Sequence, residues 1–376
     1  MNAPLRIAHL CHSFGTGGLE RVVASLVATL PREQFHHDII ALTRCEADMT
    51  QSLAGEGVRF FELNKQPGQD WPVWGRLYRL LRHTRPQVLH TLNIAALEGM
   101  VPAWLAGVPW RIHAEHGWDM ADLGGTNGRY RRLRRLLSPL VHRFVAVSRD
   151  LEQYLHRQVG IPRERIVLLP NAVDGRRFIP PPQPRDGGGR VTIGTVARLA
   201  AVKNQMFLLE CLAGMNRGDV RLLLVGDGPE RAALESRAMA LGIAPRVIFT
   251  GRVDDPLPWY HAMDLFVLPS LAEGTPLTVL EAMACALPIL ATPVGGVVDL
   301  VAPGVTGQLI PAGDGQQWQR RMAEYADQPL LRSTQGAAGR RHVLAHHHWQ
   351  TLAQRYADLF CGAQGRPAGP VPCSRA

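Results

Sequence analysis

What most limits the fold of this chain is a regular alternation of short apolar runs with amphipathic helical stretches, interrupted once and then resumed. Runs of strand character stand at 6–11, 38–42, 58–62, 87–91, 111–115, 143–147 and 165–169. Helical stretches separate them. In the clearest one, Leu19, Val22, Val23, Leu26, Val27 and Leu30 recur on a single face. Alternating strand and helix units predict a parallel sheet covered by helices on both sides. Residues 178–190 break the pattern with four prolines and three glycines, too restricted in φ and too poor in apolar area for a helix or a central strand. Strand-like runs then resume at 190–196, 220–225, 247–250, 264–268 and 287–291, with helical stretches at 204–215, 230–241 and 276–285.

The expected architecture is therefore α/β, with two Rossmann-like parallel-sheet domains facing each other across a cleft. The expected domains are 1–175 and 191–348, joined by a linker at 176–190. A closing helix at 349–361 is expected to return to the first domain, followed by a disordered tail at 362–376. A chain of 376 residues accommodates this without strain. No internal repeat is visible. Ligand sites in such sheets lie at the carboxyl ends of the strands, so every motif is judged by whether it falls there.

Composition narrows the function classes. No stretch reaches the roughly 20 apolar residues of a membrane-spanning helix, and the N-terminus lacks the layout of a signal peptide, so a cytoplasmic location is expected. The six cysteines form no C-x-x-C pair, which argues against zinc and against a disulfide framework; Cys11 and Cys285 read as small core residues. The net charge of +9 invites an anionic partner. Its excess leans to the first half, and its densest piece is 129–137, where Arg131, Arg132, Arg134 and Arg135 flank leucines. An anionic membrane surface and a merely solvated helix face both suit that segment, and peripheral attachment to the inner face of the cytoplasmic membrane is the corresponding expectation. Neither zinc-finger spacing nor an RNA-binding aromatic motif is present, so nucleic acid is not an expected partner.

Four segments could carry chemistry. Gly17 and Gly18 lie between the first strand and its helix, where backbone can approach an anion at the positive end of a helix dipole; a plain tight turn is the competing reading. Arg198 follows the first strand of the second half and Lys203 opens the next helix, so two cations could meet the charge that builds on a leaving diphosphate. Of the 41 basic residues only Lys65 and Lys203 are lysines, and a cation at a helix start faces the unfavourable dipole end, so Lys203 reads as selected for a task. Gly226-Asp227-Gly228-Pro229 follows another strand and by itself is ordinary turn chemistry. Glu273 and Glu281 bracket a loop and the first turns of a helix, with Gly274, Thr275, Pro276, Leu277 and Thr278 between them. Carboxylates so placed accept hydrogen bonds from vicinal hydroxyls of a sugar. A capping acid at Glu273 and a surface acid at Glu281 are the bland alternatives, the second disfavoured by apolar neighbours.

Taken together, these motifs resemble the family four retaining glycosyltransferases of GT-B fold, over residues from about 6 to 360. The resemblance rests on Glu273 and Glu281 seven residues apart, on Arg198 and Lys203, on the glycine loops, and on His113-Ala114-Glu115-His116-Gly117. Within the family it is nearest to sugar transferases of exopolysaccharide clusters of the PEP-CTERM/EpsH type. It implies transfer of a sugar from a UDP- or GDP-linked donor to a saccharide or polyprenyl-linked acceptor. It further implies that Arg198 and Lys203 bind the diphosphate, Glu281 the ribose and Glu273 the donor sugar, aided by backbone N–H groups of Thr275 to Leu277. Gly17 and Gly18 would approach the diphosphate, His116 would face the reactive carbon, and backbone around Arg252 and Val253 would read the base. The family fold uses no D-x-D metal motif, none is placed here, and neither metal nor cofactor is expected. A nucleotide-sugar epimerase of the same architecture and a non-catalytic nucleotide-sugar-binding protein remain as alternatives.

Overall fold

A computed structural model describes residues 3–15, 17–118, 120–182, 189–362 and 371. The chain divides into two compact units, Met1–Asn171 with Gln350–Ala376, and Ala172–Trp349. The first holds a seven-stranded parallel sheet of β1 (Leu5–Cys11), β2 (Phe35–Ala41), β3 (Arg59–Glu62), β4 (Val88–Leu92), β5 (Trp110–Glu115), β6 (Arg143–Ala146) and β7 (Ile166–Leu168), in the order β3-β2-β1-β4-β5-β6-β7. The second holds a six-stranded parallel sheet of β8 (Val191–Val196), β9 (Val220–Val225), β10 (Val247–Gly251), β11 (Leu265–Leu268), β12 (Ile289–Ala291) and β13 (Gly307–Leu309), in the order β10-β9-β8-β11-β12-β13. Central strands such as β4 and β11 are buried along their whole length, as helices on both faces require, whereas the edge strands β3 and β7 are not. In each sheet the winding direction reverses beside the first strand, between β1 and β4 and between β8 and β11. The carboxyl ends of those strands are where α/β sheets bind ligands.

Two boundaries differ from the sequence expectation. Residues 172–178 belong to the second unit: Val173 bridges to His348, and Phe178 is buried in that unit's core with its ring edge-on to Tyr260. The start of the expected linker is thus held by packing, because one large ring and one apolar strand residue suffice to seat it; its residues 183–188 lie outside the described ones. Strand β13 was not expected, since Gly307 interrupts the apolar pattern. A Cβ there would meet the Ile289 carbonyl oxygen at 2.0 Å, so the glycine is what lets the strand close on its neighbour. The helix Trp349–Cys361 crosses from one unit to the other and covers the first sheet, where Phe360 lies edge-on to His9 and His90 and Trp110 Nε1 donates to the Leu359 carbonyl at 3.0 Å. Of the expected tail, residues 363–370 and 372–376 lie outside the described ones.

Candidate functional site

In the second unit, the loops after β8 and β11 are laced together. Leu271 N donates to the Val202 carbonyl at 2.8 Å, Asn204 Nδ2 to the Pro269 carbonyl at 3.3 Å, and Gln205 Nε2 to the Arg198 carbonyl at 3.0 Å. The lacing carries Lys203 to Glu273, where Nζ donates to Oε1 at 2.6 Å. Glu273 is 7% exposed and the lysine side chain 25%, so the pair is only partly screened by water. Lys203 does not open a helix, as its sequence context suggests. It ends a short 3₁₀ turn, Asn204 follows in the left-handed region (φ 54°), and the helix starts at Gln205. Its positive charge therefore meets a carboxylate, and not the helix N–H groups. Arg198 is exposed and makes no ion pair among the described residues.

The helix Leu277–Ala284 begins directly after Pro276, whose extended conformation turns the chain into it. Glu273 makes no capping bond to that helix, and Glu281 is 3% exposed, which removes both bland readings. Tyr260 hydroxyl donates to Glu281 Oε2 at 2.7 Å. Thr275 is buried, and Leu277 and Thr278 are half-buried. Gly295, in the loop after β12, was not singled out by sequence. Its φ is +51° and a Cβ would strike the Glu273 carbonyl oxygen at 1.9 Å, while Gly296 N donates to the Gly274 carbonyl at 2.7 Å. The Gly-Gly pair after a strand was the available signal: it seats the Glu273 loop.

The glycines after β9 have a local task. Gly226 (φ +131°) and Gly228 would each place a Cβ 2.2 Å from a backbone carbonyl of the β8 loop, Ala197 and Leu199 respectively. That approach is sealed by Ala197 N to Val225 O and Leu199 N to Asp227 O, both 3.0 Å. Asp227 shows turn chemistry, with Oδ1 accepting from Gly228 N at 2.7 Å and Oδ2 facing Arg231 at 3.1 Å. These residues hold the Arg198 loop in place. Arg252 is exposed beside a half-buried Val253 that packs on the core.

In the first unit, Gly17 precedes the helix Gly18–Thr29 in extended conformation. A Cβ at Gly17 would meet only the flexible end of Glu20, and one at Gly18 nothing within 4 Å. At the end of β5, His116 N donates to Asn93 Oδ1 at 2.7 Å, and Asn93 holds a strained positive φ of 58° to reach it. Both His116 ring nitrogens are buried with no hydrogen-bond partner among the described residues. Burial pushes this ring down to about 4 against the opposing pull of Glu115, so it is neutral at neutral pH.

Arg134 was expected on a cationic surface and is instead 1% exposed. Its Nε donates to Glu115 Oε1 at 2.6 Å and its NH1 to Asp122 Oδ2 at 2.8 Å, with the guanidinium over the Tyr154 ring. Burial raises the Glu115 carboxyl, but Arg134 and then His113 outweigh that and hold it well below the usual carboxylate range. The helix Gly128–Leu137 turns Arg134 inward because two buried acids must be neutralised there. Of the other three, Arg135 donates to the carbonyls of Val159 and Gln158, Arg131 is half-buried and Arg132 is exposed; Leu136, at 74% exposure, faces water. The four arginines and the leucines thus do not form the two-faced surface expected. Among the described residues no three His, Cys, Asp or Glu side chains are disposed to hold a metal ion, and no helix is long and apolar enough to cross a membrane.

Comparison with known proteins gives this geometry a context. Residues 16–177 match the family described as Glycosyltransferase Family 4, and residues 190–328 match Glycosyl transferases group 1. A GDP-mannose-dependent alpha-(1-6)-phosphatidylinositol monomannoside mannosyltransferase of Mycolicibacterium smegmatis is 32% identical over 266 residues, 66% of this chain and 68% of that one. A UDP-Gal:alpha-D-GlcNAc-diphosphoundecaprenol alpha-1,3-galactosyltransferase of Escherichia coli is 25% identical over 351 residues, 88% of this chain and 90% of that one. Among solved structures, Anabaena HepE in complex with UDP-glucose superposes with a TM-score of 0.81 at 21% identity, covering 95% of this chain and 100% of that one, a likeness of fold. The chain belongs to glycosyltransferase family 4 and is a glycosyltransferase of GT-B fold.

Proposed function

We propose that this glycosyltransferase moves a sugar, with retention and without a metal ion, from a nucleoside diphosphate sugar to a saccharide or lipid-linked acceptor of cell-surface glycan synthesis. The observation that carries the reading is the Lys203–Glu273 pair at the point where the second sheet reverses. A diphosphate entering there supplies Lys203 with a second anion, and Arg198 with its first. Glu273 keeps the ammonium in place while its other oxygen accepts a sugar hydroxyl. As the sugar–phosphate bond breaks, charge grows on the phosphate oxygen; two fixed cations stabilise it without reorganisation. The acceptor oxygen bonds to the same face of the reactive carbon and its proton passes to the departing phosphate, so no protein base is assigned.

Backbone N–H groups of Thr275 and Leu277, Pro276 between them having none, assist Glu273 at the positive end of their helix. Glu281, its carboxylate oriented by Tyr260, takes the ribose hydroxyls, and backbone near Arg252 and Val253 takes the base. Gly17 and Gly18 leave the room that close backbone approach to a phosphate needs. His116, neutral and with both nitrogens unclaimed, offers one donor and one acceptor to the sugar. Support for a lipid-linked acceptor comes from the two relatives, whose names specify phosphatidylinositol- and undecaprenol-linked acceptors; one names a GDP and the other a UDP donor. Exopolysaccharide synthesis of the PEP-CTERM/EpsH type is the narrower form of this reading, and a cytoplasmic site for the reaction goes with it.

The test is thermal stabilisation by a panel of nucleotide sugars with and without EDTA, followed by determination of the product anomer. Ligand at about 100 times its Kd should add roughly 2.7 kcal/mol to the wild type and far less to Lys203→Ala. A metal requirement surviving chelator controls, an inverted anomer, or donor isomerisation without acceptor would each overturn part of it.

A further inference from the structure

Three helices of the first unit lie side by side over its sheet. Pro72–Thr84 packs on Met100–Leu105, which in turn touches the turn Ser138–Leu140 closing Gly128–Leu137. None of the three contains an Asp or Glu, and between Asp70 and Glu115 the only acid is Glu98. Each turns an unusual stripe to water. Tyr78 and Arg82 share the outer face of the first, in line with exposed Trp71 just before it and opposite buried Val73, Leu77 and Leu81. On the second, Val101, Trp104 and Leu105 are exposed together, the last two by 55% and 58%. On the third, Arg129, Arg132 and Leu136 line up at helical spacing.

We propose that this helix layer docks on an anionic lipid bilayer, with Trp104 and Leu105 entering the headgroup boundary and the arginines contacting anionic headgroups. Tryptophan and tyrosine beside arginine suit that boundary, where an apolar ring and a polar or charged tip are both satisfied. The charge pattern selects this occupant over a second copy of the chain. A two-fold interface would lay arginine stripes with no intervening acid against one another. The surface is not the one implied by the arginines at 131, 134 and 135, which are partly or wholly engaged within the unit. Its purpose rests on the proposed lipid-linked acceptor; the binding itself does not.

The full-length protein is to be sedimented with phosphatidylcholine vesicles and with vesicles containing phosphatidylglycerol. The wild type should bind the anionic vesicles about tenfold or more better than the neutral ones and be released by salt. Trp104→Ser with Leu105→Ser should lower binding by roughly tenfold at any salt. Arg82→Gln, Arg129→Gln and Arg132→Gln together should lower it by about a hundredfold at low salt only. Sugar transfer to a water-soluble acceptor should be unchanged in both variants. Wild type that stays in the supernatant, variants that bind like wild type, or a dimer dissolved by Trp104→Ser and Leu105→Ser would overturn the docking. Loss of transfer with vesicle binding intact would instead count against the reaction proposed above.

Discussion

The two sheets keep their polar groups in different places. In the second unit the Lys203–Glu273 pair sits on loops at the carboxyl edge and Glu281 on the adjoining helix, beside a core made of residues such as Phe266, Val267, Leu290 and Trp318. In the first unit polarity is driven inward: Glu115, Asp122 and Arg134 form a buried ion cluster, and His9, His37 and His90 form a buried chain with contacts of 3.0 and 3.1 Å. A charge at a loop edge can act on a ligand at little cost to the fold, whereas a buried charge must be fully partnered to be tolerated at all. Substitutions should therefore separate. Those in the first unit's cluster should lower stability, and those in the second unit's pair should lower turnover.

The largest effect is expected from Arg134→Met. It leaves two buried carboxylates without a cation and should cost about 3–5 kcal/mol in urea unfolding, with partial recovery when Glu115→Gln and Asp122→Asn are added. A variant within about 1 kcal/mol of wild type would show that the cluster is hydrated and the contrast false. Next in size, Lys203→Ala should reduce kcat roughly 10²–10³-fold while the urea midpoint stays near that of wild type. If midpoint and turnover fall together, the pair with Glu273 serves the fold, and the second unit behaves like the first.

The same contrast explains what could be read in advance. Strands β1, β4, β8 and β11 declare themselves because burial on both faces favours short runs that are largely apolar and poor in charge. Lys203, Glu273 and Glu281 stand out in the sequence because charges next to glycine, proline and apolar helix residues are locally out of place, and the structure pairs the first two and buries the third. Arg134 was not. It stands among five arginines within seven residues, and the acids that draw it inward, Glu115 and Asp122, lie on the preceding strand and loop, so nothing on its own helix marks it. Asn93 and Gly295 act through backbone geometry that composition hides. The helix Gly315–Asp327 was accessible from Trp318, Met322 and Tyr325 at helical spacing, whereas Pro329–His346 buries chiefly small or polar residues and carries a weak apolar stripe.

A smaller effect should appear with pH. Burial first, and neighbouring rings second, hold His9 and His90 well below the ordinary histidine range and His37 at about 3. Below about pH 6.5 the unfolded chain gains protons that the folded rings refuse, so stability present above that pH is lost as pH falls, by roughly 1 kcal/mol per unit for each ring. Urea midpoints between pH 6.5 and 4.5 should fall more gently for His37→Gln than for wild type. Equal slopes would mean that the chain opens to water and titrates like free histidine.

The smallest expected effect most finely divides ligand from fold. Gly18 begins a helix, and a Cβ there meets nothing within 4 Å. Alanine should therefore stabilise the protein slightly, by about 0.4–1 kcal/mol, by restricting the unfolded chain. If the open space is kept for a diphosphate, Gly18→Ala should raise the donor KM several-fold while the melting temperature rises or holds. Opposite signs in the two measurements would place a ligand at the first unit's loop edge as well. A stabilised variant with unchanged KM would leave that edge to the turn alone, and confine the proposed diphosphate contacts to Arg198 and Lys203.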